Sequence, residues 1–402
     1  MSESHVVISS VGIVNALGRS VAEVHEALFN GDQSGIVSSA DYIPGRSVFV
    51  AQVGGDLPGC PEGLQSLWSR NAAISLVALQ QINDSVVDAI KRHGAHRVGI
   101  VMGSSTSGID QGESAVAAAL RTESLPEGYF YPQQQMGSVS LVLARLLGVT
   151  GPHYTISTAC SSSAKVFRSA ANLIQSGWCD CVLAGGFDSL CKLTVNGFSA
   201  LELVSDEVTN PFSKNRKGIT IGEGGAIFLL ERRSVDELSA ESIRIAGVGE
   251  SSDAYHISSP DPAAVGAIAA IEEALRDAGI RADQVDYVNL HGTGTPHNDA
   301  MEARAISSVF SLGTPCSSTK PLVGHMLGAS GATEVAFCWM MLRDGAYRLP
   351  PHIFDGVYDP ELPPVALVSR GQSVNRSPRF ALSNSFGFGG SNCAVVLGAG
   401  VV

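Results

Sequence analysis

Cys160, His291 and His325 are residues whose types and settings could do chemistry together, as a sulfur nucleophile and two imidazoles able to give or take a proton. Cys160 lies in Thr158-Ala159-Cys160-Ser161-Ser162-Ser163-Ala164. The small-residue run reads as a strand-to-helix turn, with residues 154–157 as the strand and 164–174 as a mostly apolar helix ending near Gly177. Unpaired backbone N–H groups at that helix N-terminus are expected to lower the thiol pKa and favour the thiolate. Taken alone, a cysteine in an apolar stretch is more often inert core filling. The remaining cysteines keep that reading: Cys60, Cys179, Cys181, Cys191, Cys316, Cys338 and Cys393 form no CxxC pair and no metal-type spacing with histidine. Scattered, reduced thiols fit a cytoplasmic protein.

His291 opens His291-Gly292-Thr293-Gly294-Thr295, directly after a strand-like stretch over 285–290. Strand ends of this kind commonly face a ligand crevice. The glycines allow close backbone approach, and the Thr293 and Thr295 hydroxyls suit an amide-bearing chain. A glycine-rich turn with a satisfied histidine fits the same residues. His325 stands in Val323-Gly324-His325-Met326-Leu327-Gly328, ahead of an apolar helix over 332–342 with Glu334 near its start. A buried, ionised Glu334 needs a cation; Lys320 is the nearest in sequence, and a purely structural Lys–Glu pair is the alternative. Ser383-Asn384-Ser385-Phe386-Gly387-Phe388-Gly389-Gly390-Ser391-Asn392 joins two strand-like stretches, 380–382 and 393–397. It reads as a hairpin loop, or as a hinge that lets Phe388 swing while backbone N–H groups point at an oxyanion.

In this order, the four segments resemble those of the β-ketoacyl carrier-protein synthases, the decarboxylating condensing enzymes of the thiolase superfamily. Further matching blocks are Gly12-Ile13-Val14-Asn15-Ala16-Leu17-Gly18, Met102-Gly103-Ser104-Ser105, Asn210-Pro211-Phe212, Gly222-Glu223-Gly224-Gly225 and Ser252-Asp253-Ala254-Tyr255-His256, so the resemblance spans nearly the whole chain. It implies that Cys160 accepts an acyl group from a carrier-protein thioester, with the N–H groups of Cys160 and Phe388 binding the oxyanion. His291 and His325 would promote decarboxylation of a malonyl thioester, giving a Claisen condensation that adds two carbons to a fatty-acid or polyene chain. Lys320 and Glu334 would orient the histidines, Thr293 and Thr295 would hold the phosphopantetheine arm, and Phe388 would act as a gate. Departing carbon dioxide supplies the driving force, so no metal and no free cofactor is called for; phosphopantetheine arrives on the acyl carrier protein. The family's partners are that carrier and a second subunit, either a copy of the same chain or a homologous chain-length factor. Two rival classes are a noncatalytic acyl-tunnel subunit, opposed by Cys160, His291, His325, Lys320 and Glu334 together, and a thiolase-type acyltransferase, opposed by the second histidine. Ser213 and Lys217-Gly218-Ile219 depart from the pattern of housekeeping elongation; with Thr220-Ile221-Gly222-Glu223 and Ser161-Ser162-Ser163, the chain is more similar to synthases of aryl polyene or related polyene pathways.

The elements that must position these residues read as α/β. Continuous apolar runs at 98–102, 181–184 and 226–230 suit strands covered on both faces, with helices between them. Asp261 and Pro262 are expected to start one such helix, whose apolar face is Ile268, Ile271 and Leu275 and whose end is Gly279. Gly247-Val248-Gly249 lacks a third glycine at dinucleotide spacing and reads as a turn. The resemblance implies a five-layer αβαβα sandwich of two similar halves, 1–235 carrying the nucleophile and 236–402 carrying both histidines, dividing within 232–241. A strand followed by a functional turn, at Cys160 and at His291, is the sequence trace of that duplication. With 26 basic and 38 acidic side chains the formal charge is −12, which argues against nucleic acid and anionic membranes as partners. A carrier protein would need a local basic patch, for which Lys214, Arg216 and Lys217 are candidates beside the reading of a solvated loop. No secretory signal and no membrane-spanning stretch is read from the sequence.

Overall fold

In the computed structural model, which describes residues 4–400, ten of the strands build two five-stranded sheets of matching plan, continuous at one edge; Ala366–Leu367 extends the second, and Ile36–Ile43, Arg46–Ala51 and Ile221–Gly222 form a small separate sheet. The ten are β1 (Ser4–Val14), β2 (Val98–Gly103), β3 (His153–Ile156), β4 (Cys181–Asp188), β5 (Gly224–Ser234), β6 (Ile243–Ser252), β7 (Tyr287–Asn289), β8 (Pro315–Ser317), β9 (Phe380–Gly387) and β10 (Ser391–Ala399). The first sheet runs β3-β2-β4-β5-β1 and the second β8-β7-β9-β10-β6. In both, the first three strands run parallel, the fourth runs opposite to them, and the fifth pairs antiparallel with the fourth. Val7 of β1 pairs with Arg244 of β6 and joins the sheets at their edges.

Helices follow the same repetition: α1 (Arg70–His93), α2 (Ser138–Leu147) and α3 (Ser162–Gln175) in the first half, α4 (Val265–Asp277), α5 (Pro296–Val309) and α6 (Ser330–Arg343) in the second. Helices α1 and α2 cover the outer face of one sheet and α4 and α5 that of the other, while α3 and α6 pack on each other and reach both sheets. The result is the five-layer αβαβα sandwich expected from the resemblance.

Strand pleating explains the unbroken apolar runs. Along β4, Val182 and Ala184 enter the central core with Phe167 of α3 and Phe337 of α6, whereas Cys181 and Leu183 enter the outer core with Ile74 and Leu143. Alternate residues of β5 divide in the same way, Phe228 inward and Ile227 and Leu229 outward. Helix α6 is apolar nearly all round because both of its sides are buried.

Three expectations are corrected. Gly247 and Gly249 lie inside β6 and not in a turn, because a Cβ there would run into the Ala274 and Ala270 carbonyls of α4. Helix α4 begins at Val265, not at Pro262; Asp261 instead accepts from Ala263 N at 3.0 Å and shapes the turn before the helix. The topological counterpart of the β3–α3 turn that carries Cys160 is the β8–α6 connection, which carries Lys320 and His325. His291 follows β7, the counterpart of β2.

Candidate active site

Cys160 sits two residues ahead of α3, on a turn that needs Ala159 in the left-handed region at φ 54°. Three serines hold that turn. Ser162 Oγ accepts from Thr158 N at 2.9 Å and donates to Ala159 O at 2.6 Å, Ser161 Oγ donates to Thr158 O at 2.8 Å, and Ser163 Oγ accepts from Ala332 N at 2.8 Å. The last bond ties the nucleophile's helix to α6.

His325 arrives from the other half on backbone paired with the first: its N–H donates to Thr220 O at 2.6 Å, and Gly222 N donates to its carbonyl at 3.0 Å. Its Nε2 lies 3.1 Å from Cys160 Sγ, and its Nδ1 lies 3.0 Å from Ser330 Oγ. The His291 ring stands nearly perpendicular to it, with centroids 5.2 Å apart. Lys320 Nζ is 3.4 Å from His291 Nδ1 and 2.5 Å from Glu334 Oε1, all within the buried interior. Cys160 Sγ and one ring nitrogen of each histidine lie within 4.8 Å of one another. The three residues that were far apart in sequence therefore share one centre.

Electrostatics correct one expectation. Burial pushes the Cys160 thiol up to about 11, against the opposing pull of Lys320 and the Phe388 N–H, so the thiol is neutral at rest and helix-end stabilisation does not win. Burial, reinforced by the Lys320 charge, lowers both imidazoles well below the usual histidine range and keeps them neutral. The Glu334 carboxyl is raised to about 7 by burial, with Lys320 opposing. A soft metal ion could in principle use the same sulfur and nitrogens, but the neighbouring ammonium and the protonated thiol both oppose a bound cation.

Around this centre lies a cleft lined by Phe198, Leu203, Ile219, Thr293, Thr295, Phe386 and Phe388. Thr293 and Thr295 meet through their hydroxyls at 3.0 Å on its wall. The Phe388 ring packs on Phe198 with centroids 5.6 Å apart, at the tip of the β9–β10 hairpin where Gly389 and Gly390 have φ of 80° and 77°. Most of the glycine-rich segment is strand, and only Phe388–Gly390 forms the connection.

Several residues of the site were not singled out from sequence. Glu302 accepts from His291 N at 2.7 Å and Gly292 N at 2.6 Å, and Asp299 accepts from Gly294 N at 3.2 Å and Phe212 N at 2.8 Å. Two acids three apart on one face of α5 were the available signal. Asp188 binds the N–H groups of Ser105, Thr106 and Ala329 and so fixes the loop behind His325. Asp253 accepts from Asn392 Nδ2 at 2.6 Å and donates its N–H to Gly390 O at 2.9 Å, bracing the Phe388 hairpin. In the basic candidate patch, Arg216 is turned inward onto Asp359 at 2.5 Å and is unavailable to a partner, while Lys217 pairs with Glu207 at the surface.

A buried cysteine and a paired histidine on a duplicated α/β frame, beside a cleft open to an extended substrate, define a thiolase-like acyltransferase. The comparisons make this specific. The N-terminal domain of β-ketoacyl synthases matches residues 72–235, and the C-terminal domain matches residues 243–353. The 3-oxoacyl-[acyl-carrier-protein] synthase 2 of Coxiella burnetii is 32% identical over 99% of both chains, and nodulation protein E of Rhizobium meliloti is 32% identical over 81% of each. Among solved structures, the ketosynthase ApeO of Xenorhabdus doucetiae, determined in complex with its chain length factor ApeC, is 42% identical with a TM-score of 0.92 over 98% of both chains. This chain belongs to the β-ketoacyl synthase family and is an enzyme of the acyltransferase class. Among the described residues no helix is long and apolar enough to cross a membrane.

Proposed function

We propose that the protein condenses an acyl group held on Cys160 with a malonyl group on a carrier protein, releasing carbon dioxide and lengthening the chain by two carbons. The observation that carries this reading is the 3.1 Å approach of His325 Nε2 to Cys160 Sγ inside a closed centre. With the thiol held at about 11, the sulfur needs a base to become a nucleophile, and the adjacent neutral imidazole is that base. Its proton passes on to the departing carrier thiolate.

The second half-reaction asks for N–H donors where negative charge develops on the malonyl thioester oxygen. An ammonium has no acceptor, so Lys320 donates to His291 Nδ1 and places that ring's proton on Nε2. His291 and His325 then stabilise the enolate as neutral N–H donors. The N–H groups of Cys160 and Phe388 bind the tetrahedral oxyanion, and the second of these already faces the sulfur. Thr293 and Thr295 hold the pantetheine arm, Phe388 gates its entry, and Glu334 neutralises Lys320. The chemistry uses no free cofactor, since pantetheine travels on the carrier.

A domain division between 235 and 236 is supported by the strand plan, which repeats on either side of the connection between β5 and β6. The acyl carrier protein is the macromolecular substrate, and the second subunit is a homologous chain-length factor in a cytoplasmic polyene-forming system. The likeness to a ketosynthase solved with such a factor supports this, as do the serine run at 161–163 and Ser213. A homodimer is the competing assembly. The purified protein, incubated with acyl and malonyl carrier-protein thioesters, should gain acyl mass on Cys160 and release carbon dioxide. Condensation by a Cys160→Ala variant would refute the assignment. Native mass measurement after co-expression with neighbouring synthase genes decides between the two assemblies.

A further inference from the structure

We propose that Ser330 is a positioning residue for His325 whose hydroxyl follows the imidazole's proton, accepting from Nδ1–H in one half-reaction and donating to Nδ1 in the other. The inference rests on the reading of His325 as the partner of Cys160 given above. Ser330 opens α6 and is fully buried, with its Oγ 3.0 Å from Nδ1. The opposite ring nitrogen faces Cys160 Sγ at 3.1 Å, so the ring bridges a hydroxyl and a thiol.

The two half-reactions make opposite demands on that ring. During acyl transfer Nε2 must be bare to take the Cys160 proton, so the ring's own proton is on Nδ1 and needs an acceptor. The sulfur–acyl bond forms, the carrier's carbon–sulfur bond breaks, and the proton held on Nε2 passes to the carrier thiolate. During condensation the carbon–carbon bond to carbon dioxide breaks, its electron pair becomes the enolate, and Nε2–H must point at the enolate oxygen. Between the two steps the ring exchanges protons with water in the cleft, losing one from Nδ1 and gaining one on Nε2, so Nδ1 is then bare and needs a donor. The enolate carbon attacks the acyl carbon, Cys160 leaves as thiolate, and a proton from water restores the thiol.

A backbone N–H or carbonyl in place of Ser330 could satisfy only one of these states. A serine hydroxyl donates one bond, accepts two and rotates between them. The other charged or titratable groups around His325 are Cys160 and Lys320, His291 across the centre, Glu334 behind Lys320, and Asp188, which fixes the loop through Ala329 N at 3.1 Å. Lys320 is committed to Glu334 and His291, leaving Ser330 as the group that meets Nδ1.

The test compares wild type, Ser330→Ala, Ser330→Thr and His325→Ala, measuring acylation of Cys160 and carbon dioxide release separately across about pH 6 to 9, with thermal unfolding of each. Ser330→Ala should slow both steps about tenfold and displace acylation to higher pH, while Ser330→Thr, which keeps the hydroxyl, regains most of both. Wild-type rates and profiles in Ser330→Ala, with His325→Ala impaired, would overturn the Ser330 proposal alone. Equal losses in the Ala and Thr variants with unshifted pH profiles would reduce Ser330 to packing and overturn it too. Full activity in His325→Ala would instead overturn the reading of the site on which it rests.

Discussion

The β3–α3 turn and the β8–α6 connection occupy equivalent places in the two copies of the strand plan, yet one presents a thiol and the other an ammonium and an imidazole. On the Cys160 side the chain turns within residues 157–161 and is held by serine hydroxyls. On the other side it takes a longer path, through the short helix Lys320–Val323 and a pairing with Thr220 and Gly222 of the first half. Packing α3 against α6 brings the two unequal ends within hydrogen-bond distance. Duplication supplies the frame, and divergence at one matched point sets a thiol against an imidazole.

Removing the first-half contribution should have the largest effect: Cys160→Ala loses covalent acylation, a fall of at least about a thousandfold in condensation, read by intact mass and product formation. His325→Ala, the matched loss in the second half, should acylate slowly and fail to condense; acylation and condensation falling by equal factors would show that the two turns do not divide the work as described.

Lys320→Met leaves Glu334 buried without its cation and should cost about 3 to 5 kcal/mol in denaturant unfolding. Adding Glu334→Leu should recover most of that stability while decarboxylation stays impaired, because His291 Nδ1 has lost its donor. Full recovery of activity in the double variant would make the pair purely structural. At the hairpin tip, Phe388→Ala removes the contact with Phe198 and should alter the KM for acyl carrier thioesters several-fold with little change in stability.

The smallest effect concerns pH and lies outside the centre. His352 is buried, accepts from Ser318 N at 3.1 Å and donates to Pro211 O at 3.0 Å, and its pKa is lowered to about 4 by burial. Between the usual value of about 6.5 and about 4 the unfolded chain binds this proton and the folded one does not, so this group's contribution to stability falls as pH falls through that window. Urea unfolding of wild type and His352→Gln at about pH 7 and about pH 5 should show a smaller acid loss in the variant.

How far the sequence carried the fold and the site follows from the range of the interactions involved. Cys160, His291 and His325 were legible because nucleophile and imidazoles stand in glycine- and serine-rich turns beside apolar strands, a local pattern. Residues 181–184 and 226–230 announced covered strands because both pleat faces are apolar. Gly247 and Gly249 misled because their small size serves α4, which approaches from elsewhere in the chain. Arg216 looked like a surface charge, since nothing near it in sequence reveals Asp359. The Cys160 pKa was misjudged for a related reason: a helix end is visible in sequence, whereas the depth of burial that outweighs it arises only when both halves close. Ser330 carries no signal of its own in the sequence; only the fold shows its hydroxyl meeting His325.

The most direct measurement is a single-turnover experiment with enzyme pre-acylated on Cys160 and then mixed with malonyl carrier protein. Wild type should transfer its acyl group to a 3-ketoacyl product with one carbon dioxide released per product, while pre-acylated His291→Ala should keep its acyl group on the cysteine. Product release from the His291 variant at the wild-type rate would contradict a shared centre built from the two halves.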